Sequence, residues 1–319
     1  MIFEYTRGLL FVCCIFFLTV CGHKNQPDPI DPGNTDSCTS VLSSGNKITS
    51  LSQPSFSVSS DTSLPFGSKV YLLADSISNA GTFEISLDSG KVWKLSKCVT
   101  LLNSGEIWGR LRYNKILSPI AKATYSIYYQ RVEIIGNSIT GHGPAPELGW
   151  TGDWGMAASA AENDYVHIIT RKLQKLNPLV EIKVIQAVDF EQSFWKYDFT
   201  KLKSYADFQP DLVIMRIAEN TNLDYINSYE NSYDQYITQL TSKTTAKVIC
   251  TTSFWSSHEE VSNRIRNVAG KKGYIIADLK PYSTDKSYTA YKSFSNVAVG
   301  IHPSDKGMLA IADCISRYF

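Results

Sequence analysis

Three short segments of the sequence carry side chains that suit acyl transfer. The first is GNSIT around Ser138, the second is AENT around Asn220, and the third is GIHPSD around His302. A histidine that takes the proton of a serine hydroxyl generates the alkoxide that attacks a carbonyl carbon. An asparagine amide that donates to the resulting oxyanion typically contributes about 10²–10³ in rate. We therefore treat these three residues as one candidate site.

The elements around these residues predict where they meet. From about residue 131 onward, short apolar strands alternate with amphipathic helices. This alternation predicts an α/β fold with a doubly wound parallel sheet, in which sites form at the carboxyl ends of the strands. Ser138 and Asn220 follow predicted strands, and His302 precedes the last helix. The predicted strands are 132–135, 180–188, 211–217, 246–252 and 274–278, and the predicted helices are 164–176, 228–240, 258–269 and 304–318.

In this order and at these positions, the three segments resemble motif blocks of the SGNH (GDSL-type) hydrolase superfamily, over about residues 131–319. The resemblance implies a flavodoxin-like three-layer fold and a carboxylic ester hydrolase. It implies Ser138 as the nucleophile and His302 as the base. The implied oxyanion donors are the side chain of Asn220 and the backbone N–H of Ser138. No cofactor is implied, and no HExxH motif or carboxylate cluster in the sequence argues for a metal ion.

The sequence departs from the family pattern at several positions. Asn137 stands where the family usually has aspartate, and Val299 stands where it usually has the aspartate that precedes the histidine by three residues. The chain has no glycine between Gly155 and Gly270. Either an ordinary residue near 187–189 replaces the family's second oxyanion glycine, or the oxyanion hole relies on the Ser138 N–H and Asn220 alone. Esterases of the carbohydrate esterase family 2 type have an N-terminal β-sandwich and use a Ser–His dyad in which a backbone carbonyl orients the histidine. The layout of this sequence, without the usual aspartate, looks similar to theirs.

We therefore expect His302 to be held by a backbone carbonyl and to titrate near its unperturbed pKa of about 6.5. Asp153 or Glu191 is the alternative partner for its ring. If the dyad is correct, replacing Asp153, Glu191 or Asp305 by the corresponding amide should each cost less than about tenfold in rate, or roughly 1.4 kcal/mol of barrier.

Three further side chains near the nucleophile are candidates for substrate binding. His142 follows Ser138 by four residues, and Trp150 and Trp154 lie in a glycine-rich loop that should cover the strand ends. The two tryptophans could stack on a sugar ring or simply roof the site. His142 could contact substrate or be a loop histidine that hydrogen-bonds to backbone.

The first twenty residues have the pattern of a bacterial signal peptide, because a charged start is followed by an apolar run too short to span a bilayer. The sequence LTVC, ending at Cys21, resembles a lipobox with Cys21 as the lipidated residue, although Val20 replaces the usual small residue. The alternative is an ordinary secretory signal with a chance cysteine. Residues 21–44 are polar and proline-rich, which is typical of a tether. We expect a lipid-anchored protein of the bacterial cell envelope, with the anchor as its membrane contact.

Residues 45–130 alternate between apolar and polar side chains and turn often, which predicts a small all-β sandwich. The pattern resembles Ig-like modules of bacterial surface proteins. Trp93, Trp108 and Tyr113 could form a carbohydrate-binding face, but we favour packing as their role. Cys38 and Cys98 could pair in an oxidising envelope.

The overall composition excludes some function classes. The chain has 319 residues, with 31 Lys and Arg against 30 Asp and Glu and a formal net charge of +1. Because there is neither a basic surplus nor a Lys/Arg run, nucleic acid is not the expected partner. We expect an acylated carbohydrate substrate that loses O-acetyl groups. The alternatives are a non-catalytic glycan-binding lipoprotein on a degenerate hydrolase fold, and a lipase or thioesterase of the same superfamily.

Overall fold

The computed structural model describes residues 48–75 and 81–319. The predicted signal peptide (1–20), the predicted lipidation site Cys21 and the predicted tether (21–44) lie outside these residues. Within the described ranges, no helix is both long and apolar enough to cross a membrane.

The first part of the described chain consists of short strands that form two sheets, with the strands numbered in chain order. One sheet contains β1 (Ser55–Phe56), β3 (Lys69–Leu73) and β6 (Cys98–Thr100), in that order. The strands of the other, in spatial order, are β2 (Thr62–Pro65), β9 (Ala121–Tyr128), β7 (Gly105–Tyr113), β4 (Thr82–Ser86) and β5 (Lys94–Leu95), with β8 (Ile116–Leu117) paired to β7. The β2–β9 pair is parallel and the other pairs are antiparallel.

Alternation of side chains builds the core between these two sheets. Every second residue of β9, from Ala121 to Ile127, is buried, and so are Val70 and Leu72 of β3. A Cβ atom on Gly109 of β7 would lie 2.5 Å from the Leu72 side chain, so a glycine at this position allows the sheets to approach closely.

The second part is a five-stranded parallel sheet. Its strands are β10 (Arg131–Gly136), β11 (Glu181–Gln186), β12 (Leu212–Met215), β13 (Lys247–Thr251) and β14 (Ile275–Ala277). Their spatial order is β11-β10-β12-β13-β14, which is the flavodoxin-like order, and the topological switch lies between β10 and β12. The predicted fold class is confirmed, and ligands of such sheets bind at the carboxyl ends of the strands beside the switch.

Helices cover both faces of the parallel sheet. Buried residues of α1 (Tyr165–Leu176) and α8 (Asp305–Ser316) pack on the face that carries Ile134 and Ile214. Buried residues of α2 (Val188–Ser193), α4 (Tyr229–Leu240) and α5 (Glu259–Lys272) pack on the face that carries Ile135 and Met215. The remaining short helices are α3 (Lys203–Ala206), α6 (Lys280–Ser283) and α7 (Val297–Gly300).

The long helices match the sequence-based expectation, but the segment after β11 does not. The predicted strand 180–188 ends at Gln186, and α2 begins at Val188. The chain bends sharply at the end of β11, and the segment that follows therefore lies at the candidate site described below. Ser304 is the N-cap residue of α8, as predicted, although its hydroxyl donates to the Tyr288 carbonyl.

The sandwich and the α/β part pack against each other through buried polar and aromatic contacts. Asp211, just before β12, accepts hydrogen bonds from the backbone N–H groups of Gln130 and Arg131, at 2.7 and 3.0 Å. Lys247, at the start of β13, donates to Asn103 of the sandwich and to the Tyr318 carbonyl near the chain end. These contacts join the two parts at the end of the sheet opposite the candidate site.

The tryptophans of the sandwich are covered by cations. The Arg110 guanidinium lies 3.8 Å from the Trp93 ring centroid, and the Lys122 amine lies 3.9 Å from that of Trp108. Each of these two rings therefore has one face packed against a cation. Cys98 is disulfide-bonded, whereas the described residues Cys250 and Cys314 are free; Cys38 lies outside the described residues.

Candidate active site

The tight turn after β10 places Ser138 just beyond the end of the strand. Thr140 folds back over Gly136, and any Cβ atom at Gly136 would lie 1.6 Å from the Thr140 hydroxyl oxygen. Only glycine fits at this position. The Thr140 hydroxyl shares a hydrogen bond of 2.7 Å with the Tyr165 hydroxyl, and the N–H groups of Thr140 and Gly141 donate to the Asn137 carbonyl. This tight turn fixes the backbone on both sides of Ser138.

Ser138 and His302 meet across 164 residues of sequence. The Ser138 Oγ lies 2.8 Å from the His302 Nε2, and the His302 Nδ1 lies 2.8 Å from the Ala298 carbonyl oxygen. A carbonyl can only accept, so Nδ1 carries the proton and Nε2 has the lone pair that faces the serine hydroxyl. The ring is therefore held by a backbone carbonyl, in the tautomer that a general base needs.

The carbonyl that holds His302 belongs to the short helix α7. The Val297 and Val299 carbonyls accept from the backbone N–H groups of Ile301 and His302. Helix ends leave carbonyls without intrahelical donors, and here the imidazole N–H satisfies the one at Ala298. Val299, in the usual aspartate position, is fully buried in an apolar cluster, so this site could not hold an unpaired carboxylate without a desolvation cost.

The prediction that His302 titrates near its ordinary pKa is wrong. Its ring is 5% exposed, and burial lowers the pKa of His302 to about 4. The Ala298 carbonyl and the charge of Glu219 raise this pKa, but they do not offset the loss of hydration of the imidazolium. His302 is consequently neutral, and able to accept a proton, throughout the neutral and mildly acidic range.

Neither of the carboxylates offered as alternative partners bonds to the His302 ring: Asp153 is exposed, and Glu191 is described below. Asp305, the third acid named for substitution, is also engaged elsewhere. Asp305 accepts from the backbone N–H and hydroxyl of Ser159 and from Asn163, which ties the loop before α1 to the start of α8. The Asp305 side chain therefore stabilises a loop, and the helix N-terminus at which it stands. In the described residues, the hydrogen bonds of the His302 ring go to Ser138 and Ala298 and to no carboxylate.

Glu191 lies on α2 and is bonded to Asn137 and Asn220. Its carboxylate is fully buried and accepts from the Asn220 Nδ2 at 3.0 Å, from the Asn220 backbone N–H at 3.3 Å, and from the Asn137 Nδ2 at 3.2 Å. Burial and the neighbouring charge of Glu219 raise the pKa of Glu191 to about 7. These contacts fix the side chain of Asn220, the predicted oxyanion donor.

A second buried carboxylate completes the network behind the nucleophile. Glu219 accepts from the Asn137 Nδ2 at 2.9 Å, from Arg216 at 2.6 Å, and from the hydroxyl of Ser253 and the N–H of Phe254 at 3.0 and 2.7 Å. Burial raises the pKa of Glu219, but the adjacent Arg216 guanidinium lowers it to about 2. Glu219 is thus a permanent anion, and the Asn137 amide lies between two carboxylates.

A cavity of about 250 Å³ opens in front of Ser138. Ser138, His302, Asn220 and His142 all line it, so the structure brings four of the predicted site residues to one cavity. The other lining residues are Gly141, Leu148, Met156, Gln186, Val188 and Ala298. Of these, Val188 belongs to the segment 187–189 that the sequence indicated.

The two predicted substrate-binding tryptophans are part of the loop core, and neither lines this cavity. Trp150 is 3% exposed, donates its indole N–H to the His142 carbonyl, and packs edge-on against Trp154 at 5.5 Å. Trp154 donates its indole N–H to the Ala158 carbonyl. Both indole N–H groups have partners within the loop, as buried donors need, so the structure shows a packing role for the two rings.

Backbone donors near the cavity can also be assigned. The Ala187 N–H donates to the Gly136 carbonyl at 2.8 Å, so it is engaged in the sheet edge. Val188 follows as the first residue of α2 and lines the cavity. Of the residues 187–189 proposed from the sequence as a second backbone donor, Val188 is the one that lines the cavity. In the described part of the chain, no group of three or more His, Cys, Asp or Glu could hold a metal ion.

Comparison with known proteins gives matches among solved structures only. No family model matches the chain, and no curated protein does. A two-domain esterase active on acetylated mannans matches with 16% identity over 59% of this chain, with a TM-score of 0.39. The chain spans 48% of that esterase.

Two smaller proteins match the same share of this chain over nearly their whole lengths. An acetyl xylan esterase matches with 16% identity and a TM-score of 0.37. The match covers 59% of this chain and 98% of the esterase chain. A protein described as a GDSL-like lipase, from Parabacteroides merdae, has 16% identity, covers 60% of this chain and 95% of its own, and also has a TM-score of 0.37. The function proposed below therefore rests on the site geometry.

Proposed function

We propose that the protein is a serine ester hydrolase that removes O-acetyl groups from a glycan through an acyl-enzyme intermediate. The observation that supports this most directly is the continuous hydrogen-bonded chain from the Ser138 Oγ through His302 to the Ala298 carbonyl. It ends at a cavity that Asn220 also lines.

The proposed reaction begins with proton transfer from the Ser138 hydroxyl to the His302 Nε2. The alkoxide attacks the acetyl carbonyl carbon, and the oxyanion is stabilised by the Asn220 Nδ2 and by the backbone N–H groups of Ser138 and Val188. Collapse breaks the bond to the sugar oxygen, which takes the proton from His302 and leaves. Water, deprotonated by His302, then attacks the acetyl-serine and releases acetate and free Ser138.

The dimensions of the cavity favour a short acyl group. Pockets that bind drug-sized ligands measure roughly 300–1,000 Å³, whereas this one measures about 250 Å³. Leu148 and Met156 supply apolar surface in it, which suits a methyl group. A long fatty acyl chain would need a deeper apolar channel.

His142 is the side chain that we propose to contact the sugar. Its Nδ1 lies 2.6 Å from the Gly143 carbonyl and must therefore donate to it, so the Nε2 is left as an acceptor. Because the residue lines the cavity, a sugar hydroxyl next to the ester could donate to this nitrogen.

We further propose that the protein works in the bacterial cell envelope, anchored by lipid on Cys21. The proposal rests on the signal-like residues 1–20 and on the proline-rich segment that follows. A Cys21→Ser variant should lose incorporation of a labelled fatty acid and move from the membrane to the soluble fraction. Unchanged labelling would place the lipid elsewhere or remove this part of the proposal.

Hydrolysis of p-nitrophenyl acetate, butyrate and octanoate by the wild type and Ser138→Ala tests the chemical proposal. We expect activity on acetate, much lower activity on octanoate, and near-complete loss in Ser138→Ala. Release of acetate from acetylated mannan or xylan then tests the glycan class. Absence of all hydrolysis by the wild type, with glycan binding retained, would instead favour a binding protein, and a preference for octanoate would favour a lipase or thioesterase.

A further inference from the structure

Glu191 is buried behind Asn220, the side chain on which oxyanion stabilisation depends. An asparagine amide has two nearly identical ends, and only the N–H end can stabilise an oxyanion. Turned by half a rotation, Asn220 would place its carbonyl oxygen in the cavity and repel the developing charge. Something must therefore select one orientation.

We propose that Glu191 is the positioning residue that selects this orientation and holds it. A carboxylate only accepts, so the end of the Asn220 amide that faces Glu191 must be Nδ2, at 3.0 Å. The backbone N–H of Asn220 donates to the other carboxylate oxygen at 3.3 Å, so the residue is held at two points. The second N–H of Nδ2 is then left for a substrate oxygen. This role rests on the ester hydrolase proposed above.

The same carboxylate explains the asparagine at position 137. The Asn137 Nδ2 donates to Glu191 at 3.2 Å and to Glu219 at 2.9 Å, so its two hydrogens bridge two buried carboxylates. An aspartate at 137, the residue usual in the family that the sequence resembles, would place three carboxylates together with Arg216 as the adjacent cation. In this chain α2 supplies a carboxylate to the site, Glu191, in addition to Glu219.

Glu191 therefore has a large expected effect on the rate, opposite to the expectation drawn from sequence for the same substitution. In Glu191→Gln, the Nε2 end of the new amide must face at least one of the N–H donors that the carboxylate accepted. Asn220 is then released from its fixed orientation. The loss should approach that of removing an oxyanion donor, about 10²–10³ in kcat, with KM changed less than about threefold.

The test compares Glu191→Gln, Asn220→Ala and the double variant on p-nitrophenyl acetate. We expect the double variant to be no slower than Asn220→Ala, since the carboxylate acts through that amide. Losses that multiply would overturn the proposal, as would a Glu191→Gln enzyme within threefold of the wild type at pH 9, where Glu191 is ionised. Glu133→Gln is the matched control. Glu133 is equally buried, on β10, and has no hydrogen-bond partner among the described residues, so its variant should retain kcat within about twofold.

Two further measurements separate positioning from loss of fold or of function. In Asn137→Asp the three carboxylates should reduce activity strongly, and adding Glu191→Gln should restore part of it, because the amide introduced at position 191 can donate to the new carboxylate. A double variant slower than both singles would contradict the proposal. Neutron structures of the wild type and Glu191→Gln, in which the Nδ2 and Oδ1 atoms differ clearly, read the Asn220 orientation directly. An unmoved Asn220 in the variant would overturn the proposal even if the wild type hydrolyses no ester.

Discussion

Activity should fall in two separate steps as the pH is lowered, and the first step should belong to Glu191. Burial and the charge of Glu219 raise the pKa of Glu191 to about 7, whereas burial lowers the pKa of His302 to about 4. The groups that face Glu191 are the Asn137 and Asn220 amides, the anionic Glu219 with Arg216 behind it, and the neutral Tyr229 phenol.

The size of each step follows from these pKa values. At pH 5, an acid with a pKa of about 7 is only ~1% ionised, so the hold of Glu191 on Asn220 is lost in nearly every molecule. Protonation should therefore lower kcat/KM toward the level of Glu191→Gln, about 10²-fold below the wild type at pH 9. His302, in contrast, is ~99% neutral at pH 6, compared with ~24% for an unperturbed histidine.

The assay is kcat/KM for acetyl ester hydrolysis between pH 4 and pH 9, followed by direct detection of acetate. We expect the ratio of wild type to Glu191→Gln to be about 10² at pH 9 and below about 3 at pH 5. The variant itself should lose activity only near pH 4. A wild-type profile that stays flat from pH 8 to pH 5 would refute this assignment, and so would a variant that keeps the limb near pH 7.

Four further outcomes follow from the same geometry. Ser138→Ala and His302→Ala should each remove nearly all esterase activity, and the double variant should be hardly worse, since the two act as one proton-transfer unit; additive losses would mean that they act separately. Asn220→Ala should lower kcat about 10²–10³-fold with little change in KM, and the reverse pattern would make it a substrate-positioning residue. Asp153→Asn should cost less than about tenfold, and a thousandfold loss with an intact circular dichroism spectrum would identify a third triad member. Burial raises the pKa of Glu133 to about 7, so its charge should destabilise the fold by about 3 kcal/mol above pH 7 and not below pH 4.5; urea unfolding of Glu133→Gln and wild type at pH 8.5 and pH 4.5 checks this difference.

Much of the fold could be predicted because the sequence patterns are local. The apolar strands 211–217 and 246–252 correspond to β12 and β13, and the amphipathic pattern of 164–176 corresponds to α1. In a parallel sheet all carboxyl ends share one edge, so residues that follow different strands are brought to the same place. This is why Ser138 and Asn220 could be placed at one cavity from their positions alone.

Burial could not be predicted in the same way. Trp150 and Trp154 belong to a loop whose path depends on contacts distant in sequence, such as the packing of Trp150 against Phe294. An exposed loop and a folded one have the same composition. The prediction of the His302 pKa failed for the same reason. The shift of this pKa comes mainly from lost hydration and not from any neighbour in the sequence.

The support for Asn220 shows what a motif comparison misses. Considered alone, Asn137 is a lost aspartate and therefore a sign of a decayed site. The structure places Glu191, 54 residues later, against the same amide, and its carboxylate carries a charge that position 137 lacks. The electrostatic effect of a carboxylate depends on its distance and burial and not on its position in the sequence. A carboxylate on α2 can therefore act where one at position 137 would have acted. Loss of a motif residue is therefore evidence of lost function only when no other buried group can take its place, and Glu191 is the group that we propose for this site.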